Sequence, residues 1–174
     1  MSKKVLIIMD PIESIDINKD TTYQLILSAQ EFGHKVFYLI PETLSTNPNG
    51  PAGKIGDLKI NKKKDPFFKI SNIKSKQLSN FDYILMRKDP PVDNNYIYIT
   101  QILDSINQKT SKVINPGFVL RNHNEKLITL NFPKYIPASL VSCSKDDIHK
   151  FRNIHKNIIL KPLNLMGGRS VYFL

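Results

Sequence analysis

Three short stretches hold residue types able to bind or activate an anion. The first is Ile158-Ile159-Leu160-Lys161-Pro162-Leu163-Asn164-Leu165-Met166-Gly167-Gly168-Arg169-Ser170-Val171. A β-branched apolar run ends on a lysine. A turn, a Gly-Gly pair and a second apolar run follow, which predicts two strands joined by a glycine loop. Adjacent glycines let the backbone approach a ligand and aim successive N–H groups at it, which suits phosphate oxygens. Lys161 adds a point charge at the strand end. An ordinary hairpin with a surface lysine has the same pattern. The second stretch, Arg87-Lys88-Asp89-Pro90-Pro91, follows directly on the apolar run Phe81 to Met86. Its prolines stiffen the loop, and Pro90 keeps Asp89 out of helical geometry. Two cations and a carboxylate then stand at a strand end. They form either a clamp for a carboxylate-bearing substrate, with Arg87 binding bidentately, or a surface ion pair beside a rigid turn. The third is Asn124-Glu125-Lys126, where Asn124 is expected to cap a helix. A lysine in a first turn runs against the helix dipole, so Lys126 either faces a bound phosphate or is solvated.

The elements that must position these residues alternate. Lys4 to Met9 is an apolar run expected to form a strand buried on both faces, as in a parallel sheet. The loop from Ile12 to Lys19 then lies at its C-terminal end, where open α/β sheets bind ligands. Asp20 is expected to cap a helix from Thr21 to Phe32, closed by Gly33. Lys35 to Ile40 is the second strand. This β–α–β opening has no glycine in its first loop, which argues against a dinucleotide fingerprint. Glu42 to Asn80 is expected to be irregular, with Asn47 to Gly56 as loop and short strands allowed at Leu58 to Ile60 and Phe67 to Ile70. Phe81 to Met86 is the third clear strand. A helix capped by Asn94 or Asn95 runs to about Asn107, Lys112 to Ile114 is a strand, and Phe118 to Arg121 a short helix. Beyond Asn124 come a strand at Ala138 to Ser142, a helix from Ser144 to about His155, and a strand at Asn157 to Lys161.

The chain has 174 residues, 41% of them hydrophobic, enough for one domain and part of another. Its formal charge is +10, carried by lysine; the arginines are Arg87, Arg121, Arg152 and Arg169. Such a charge suits a nucleic-acid surface. Lys, Asn and Ile also share A/T-rich codons, and a biased genome yields the same profile with no polyanionic partner. No apolar run reaches the roughly 20 residues of a bilayer span. Cys143 is the sole cysteine, which rules out an internal disulfide. A cytoplasmic setting is expected. His123, His149 and His155 have no metal-ligand spacing.

Asp82-Tyr83-Ile84-Leu85-Met86-Arg87-Lys88-Asp89-Pro90-Pro91, Leu120-Arg121-Asn122-His123-Asn124-Glu125-Lys126-Leu127 and the glycine loop occur in that order. Together with Ile7-Ile8-Met9-Asp10-Pro11-Ile12 they resemble the bacterial type of glutathione synthetase, an ATP-grasp ligase. The resemblance implies an α/β fold: a pre-ATP-grasp domain over 1–122 with a mostly parallel sheet flanked by helices, then the start of an ATP-grasp domain over 123–174. It implies ATP-dependent joining of γ-glutamylcysteine to glycine through an acyl phosphate. Lys126, Lys161, Gly167, Gly168, Arg169 and Ser170 would contact ATP, and Arg87 and Asp89 the peptide substrate. Mg²⁺ or Mn²⁺ is implied, with the metal ligands and the catalytic core beyond residue 174. No catalytic or metal-binding residue is therefore expected within the chain, which is expected to be truncated and inactive alone. Homo-oligomers, or association with a missing C-terminal half, are expected. Asn164-Leu165 departs from the more acidic, glycine-rich family pattern. The alternatives are a non-catalytic module that binds a substrate or partner and, ranked last, a basic nucleic-acid binder.

Overall fold

Short apolar runs build the sheet that positions the candidate residues. The computed structural model describes residues 1–62, 65–165 and 170–174. Strand β1 (Lys4–Ile8) lies between β2 (Lys35–Leu39) and β6 (Tyr83–Met86), parallel to both, with Leu6 opposite Phe37 on one side and Ile84 on the other. Strand β7 (Lys112–Ile114) continues the parallel array beyond β6. Side chains alternate across the sheet. Leu6 and Ile8 pack on one face with Phe37, Ile84, Tyr96 and Leu103, the last two from helix α2 (Asn94–Asp104). Val5, Ile7 and Met9 pack on the other with Tyr23, Ile26 and Leu27 of helix α1 (Thr21–Glu31). With a helix on each face, β1 is polar on neither, and this explains its uninterrupted apolar sequence.

The expected parallel sheet with flanking helices is present, and an antiparallel extension joins its β2 side. There β3 (Ser45–Asn47), β4 (Gly50–Ile60) and β5 (Phe68–Gln77) form a ribbon, β4 pairing with β2, β3 and β5. The expectation of irregular structure over 42–80 is thus corrected. Gly53 and Gly56 lie within a long strand, not a loop. A Cβ at Gly53 would meet Leu39 Cδ1 at 2.4 Å, and one at Gly56 would meet Ile70 Cγ2 at 2.4 Å. These glycines permit close packing, and Gly56 also stands at the register shift between Ile55 and Asp57 in the β4–β5 pairing.

Caps fix the helix starts. Asp20 Oδ1 accepts from the N–H groups of Thr22 (2.6 Å) and Tyr23 (3.3 Å), as expected. Helix α2 is capped by Asp93, whose Oδ1 accepts from Tyr96 N–H at 2.8 Å, and not by Asn94 or Asn95. Helix α3 (Gly117–Asn122) follows β7; α4 (Lys145–His155) starts at its cap Ser144. A small antiparallel pair, β8 (Ile159–Leu160) and β9 (Tyr172–Phe173), closes the described chain. Residues 138–142 form no strand, and the segment after Asn124 is a turn leading to a 3₁₀ helix at Ile128–Asn131, not an α-helix. The strand was expected from a short apolar run and the helix from Asn124 as a cap; both segments lie largely exposed. Among the described residues no helix is long and apolar enough to cross a membrane.

Candidate functional site

The C-terminal edge of the parallel strands carries the first site. Arg87 N–H donates to Ile8 carbonyl oxygen at 2.6 Å, extending the β1–β6 ladder one step past Met86. This brings residues 87–89 alongside Asp10, just beyond β1. One oxygen of Asp10 takes the Lys88 ammonium in an ion pair; the other accepts from Asp89 N–H at 2.8 Å. A single carboxylate thereby holds the loop. It also compensates Lys88, so the two-cation clamp reduces to one guanidinium.

Arg87 is held differently. Its Nε donates to Thr22 Oγ1 at 3.1 Å. Thr22 is buried in the first turn of α1 and is itself held by Asp20. A pocket of about 50 Å³ opens here, lined by Asp10, Ser14, Asp20, Thr22, Arg87 and Asp89 among others. That is room for a few water-sized groups. Sequence reasoning singled out Arg87 and Asp89 but missed Asp10, Asp20 and Thr22 as pocket residues. The signal for Asp10 was its place at the end of a buried parallel strand. Nearby, burial pushes the Tyr38 hydroxyl up to about 12, helped by the negative charge of Glu13. Burial likewise raises Tyr96, with Asp89 adding to the effect. Both phenols are therefore neutral at ordinary pH.

The second site begins at α3, which is seated on α2. A Cβ at Gly117 would lie 2.1 Å from Thr100 carbonyl oxygen. Asp104 Oδ1 accepts from Phe118 N–H (3.0 Å), and its Oδ2 takes Arg121 Nη2 (2.6 Å). Arg121 Nη1 also donates to Thr100 Oγ1 at 3.1 Å. Just after α3, Asn124 Oδ1 accepts from Lys126 N–H (2.9 Å) and Leu127 N–H (3.3 Å), while its Nδ2 donates to Leu163 carbonyl oxygen (2.7 Å). Lys126 Nζ donates to Leu165 carbonyl oxygen (2.6 Å) and Glu125 Oε1 (2.9 Å). With no α-helix here, the helix-dipole argument for Lys126 does not apply; a side-chain turn sets its direction instead.

Lys161 directly follows β8 and is exposed. Both lysines line one open cavity of about 740 Å³, with apolar walls from Leu130, Leu140, Phe151 and Ile158. Lys161 is exposed at this cavity, whereas the Lys126 ammonium is already engaged by Glu125 and the Leu165 carbonyl oxygen; a cation beside an apolar floor suits an anionic, ring-bearing ligand. Gly167, Gly168 and Arg169 lie outside the described residues. Ser170 is exposed, with φ 54°. Among the described residues there is no group of three or more His, Cys, Asp or Glu able to hold a metal.

The chain is similar to known proteins over its whole length. The family described as "Prokaryotic glutathione synthetase, N-terminal domain" matches residues 3–121, and "Prokaryotic glutathione synthetase, ATP-grasp domain" matches residues 125–174. A glutathione synthetase of Buchnera aphidicola subsp. Baizongia pistaciae is 41% identical over 167 residues, 95% of this chain and 52% of the relative. One of Yersinia pestis is 42% identical over 169 residues, 97% of this chain and 53% of the relative. One of Coxiella burnetii is 36% identical over 174 residues, 100% of this chain and 54% of the relative. The chain spans about half the length of the curated relatives it matches.

Proposed function

The chain belongs to the prokaryotic glutathione synthetase family, and from that premise we propose that it supplies the substrate side and the first nucleotide contacts of an ATP-dependent ligase. The substrates are γ-glutamylcysteine and glycine. The division of labour runs between residues 1–122, which hold the peptide, and residues 123–174, which open the ATP-grasp site. The carrying observation is that Lys126 and Lys161, distant in sequence, wall the same cavity. Lys126 and Lys161 would bind phosphate oxygens, with Ser170, Gly167, Gly168 and Arg169 completing the contacts. Arg87 would hold a substrate carboxylate, with Asp89 beside it in the pocket. ATP, when bound, supplies the phosphoryl group that activates the cysteinyl carboxylate for attack by the glycine amine. Mg²⁺ or Mn²⁺ would accompany the nucleotide. A cytoplasmic setting and assembly into a homo-oligomer, or with a C-terminal half, belong to the same proposal.

Calorimetric titration of the 174-residue chain with ATP tests the nucleotide contacts. Lys126→Ala and Lys161→Ala should each weaken binding on the order of tenfold, as expected for losing a hydrogen bond to a charged group. Adding in trans the portion of the Yersinia pestis relative that lies beyond the match should yield ADP only when both γ-glutamylcysteine and glycine are present. ATP binding indifferent to both lysine substitutions would refute the assignment of that cavity.

A further inference from the structure

We infer that Asn124 is a positioning residue for the lysine-lined cavity: its side-chain amide fixes the spacing between the backbones that carry Lys126 and Lys161, and so sets how tightly an anion is held there. The inference rests on the proposed reading of that cavity as the nucleotide site.

Asn124 does not itself line the cavity, whose wall includes Glu125, Lys126, Lys161 and Leu163. It acts through both halves of one amide. The oxygen accepts from Lys126 N–H (2.9 Å) and Leu127 N–H (3.3 Å), which shapes the turn that carries Lys126. The nitrogen donates to Leu163 carbonyl oxygen at 2.7 Å, 39 residues along the chain. A turn-forming asparagine needs only the oxygen, so the turn does not account for this second bond. Lys161 stands two residues before the carbonyl that is held. On its other side, Ile159 and Leu160 pair with β9. Pro162, between Lys161 and Leu163, has its φ fixed by its ring. The backbone at Lys161 is therefore anchored at both ends although its side chain is exposed.

A second tie leaves the same turn. Lys126 Nζ donates to Leu165 carbonyl oxygen (2.6 Å) and to Glu125 Oε1 (2.9 Å). An ammonium has three donors, so these two bonds leave one for a ligand. Residues 163–165 are thus held at two points by residues 124–126, and the planar amide of Asn124 is the uncharged spacer between the two lysine backbones. A lysine is a point charge on a flexible stem, and fixing the base of that stem lowers the freedom lost when an anion binds.

The test is a double-mutant cycle of Asn124→Ser with Lys161→Ala, read by calorimetric titration of the 174-residue chain with ATP. Serine keeps a weaker acceptor for the turn, adds no charge and is too short to reach Leu163 at the same time. Asn124→Ser should weaken ATP binding on the order of three- to tenfold, the range expected for one lost hydrogen bond. In the Lys161→Ala background the same substitution should change affinity by less than about twofold. An equal loss in both backgrounds would show that Asn124 supports only the turn, and would overturn the inference; so would unchanged affinity in Asn124→Ser. Nuclear magnetic resonance of the wild-type chain supplies a reading that needs neither the variant nor ATP. The Asn124 side-chain amide protons should exchange slowly with solvent, and exchange as fast as in free asparagine would overturn the tie while leaving the nucleotide site standing. A wild-type chain that binds no ATP would instead refute the nucleotide reading, and the role given to Asn124 with it, even where that amide is protected.

Discussion

Replacing Gly117 by alanine opposes two effects of different size. Alanine is the better helix former by about 1 kcal/mol, which favours the variant. Against this, the new Cβ would lie 2.1 Å from Thr100 carbonyl oxygen and 2.8 Å from Thr100 carbonyl carbon. Both are backbone atoms, so no rotamer change relieves the contact. Restoring normal separation requires α3 to lift from α2 by about 1 Å or more. Overpacking of this kind costs about 1–3 kcal/mol. The lift also draws Phe118 N–H and the Arg121 guanidinium away from Asp104, bonds now at 3.0 and 2.6 Å. Each such loss adds about 1 kcal/mol, more for the charged pair. Gly117→Ala should therefore destabilise by about 2–4 kcal/mol. Urea unfolding followed by circular dichroism should show a lower midpoint with an unchanged slope. Asp104→Ala removes the shared acceptor without the clash, and should cost about 2–3 kcal/mol. The two together should be less than additive, because they break the same contacts. A Gly117→Ala protein as stable as the wild type would show that α3 is not seated on Thr100, and that the mounting of Lys126 described above is wrong.

Leu6 is fully buried between Phe37 and Ile84, so Leu6→Ala should cost about 2–5 kcal/mol in the same assay; a loss under 1 kcal/mol would contradict the packing described. Tyr38 has its hydroxyl raised to about 12, by burial first and by Glu13 second. Its neutral form is favoured on folding, so stability should be intact below pH 10 and fall as pH rises toward 12. Tyr38→Phe should flatten that decline, and parallel losses in both proteins would count against it. Asp82 is held below the usual carboxylate range by Lys4 N–H and then by the Lys3 ammonium. Its contribution should be present at neutral pH and disappear as pH falls through the lowered pKa. Asp82→Asn should then lack part of the acid-side decline in an unfolding series.

The central parallel strand was legible because burial on both faces leaves it almost no polar position: Val5 to Met9 reads continuously apolar and carries β1, whereas the exposed run at 138–142 forms no strand. The ribbon of β4 and β5 was not, because Gly53 and Gly56 read as turn signals. Their purpose is a close approach of Leu39 and Ile70, which no local pattern reveals. Asp93 was passed over as a cap because Asn94 and Asn95 stand next to it, and the three have similar capping strength. At the sheet edge, Arg87 and Asp89 were visible from their place after an apolar run. Asp10 and Lys88, by contrast, are 78 residues apart, and their ion pair depends on the alignment of β1 with β6. Thr22 looked like an ordinary first-turn residue. Its hydroxyl gains a role only once Arg87 is brought over the start of α1.

The position of β1 between β2 and β6 also sets the order in which the protein can assemble during synthesis. β1 and β2 are made early and can pair across α1, yet one edge of β1 stays bare until β6 leaves the ribosome. At 5–20 residues per second, the chain between Leu39 and Met86 takes on the order of 2–10 s to be made. Through that interval Leu6, Ile7 and Ile8 present an apolar strand with an unpaired backbone edge, the kind of surface that recruits other chains. Slow decoding between β2 and β6 would lengthen the exposure, and synonymous codon changes confined to that interval should alter the soluble yield without altering the finished protein.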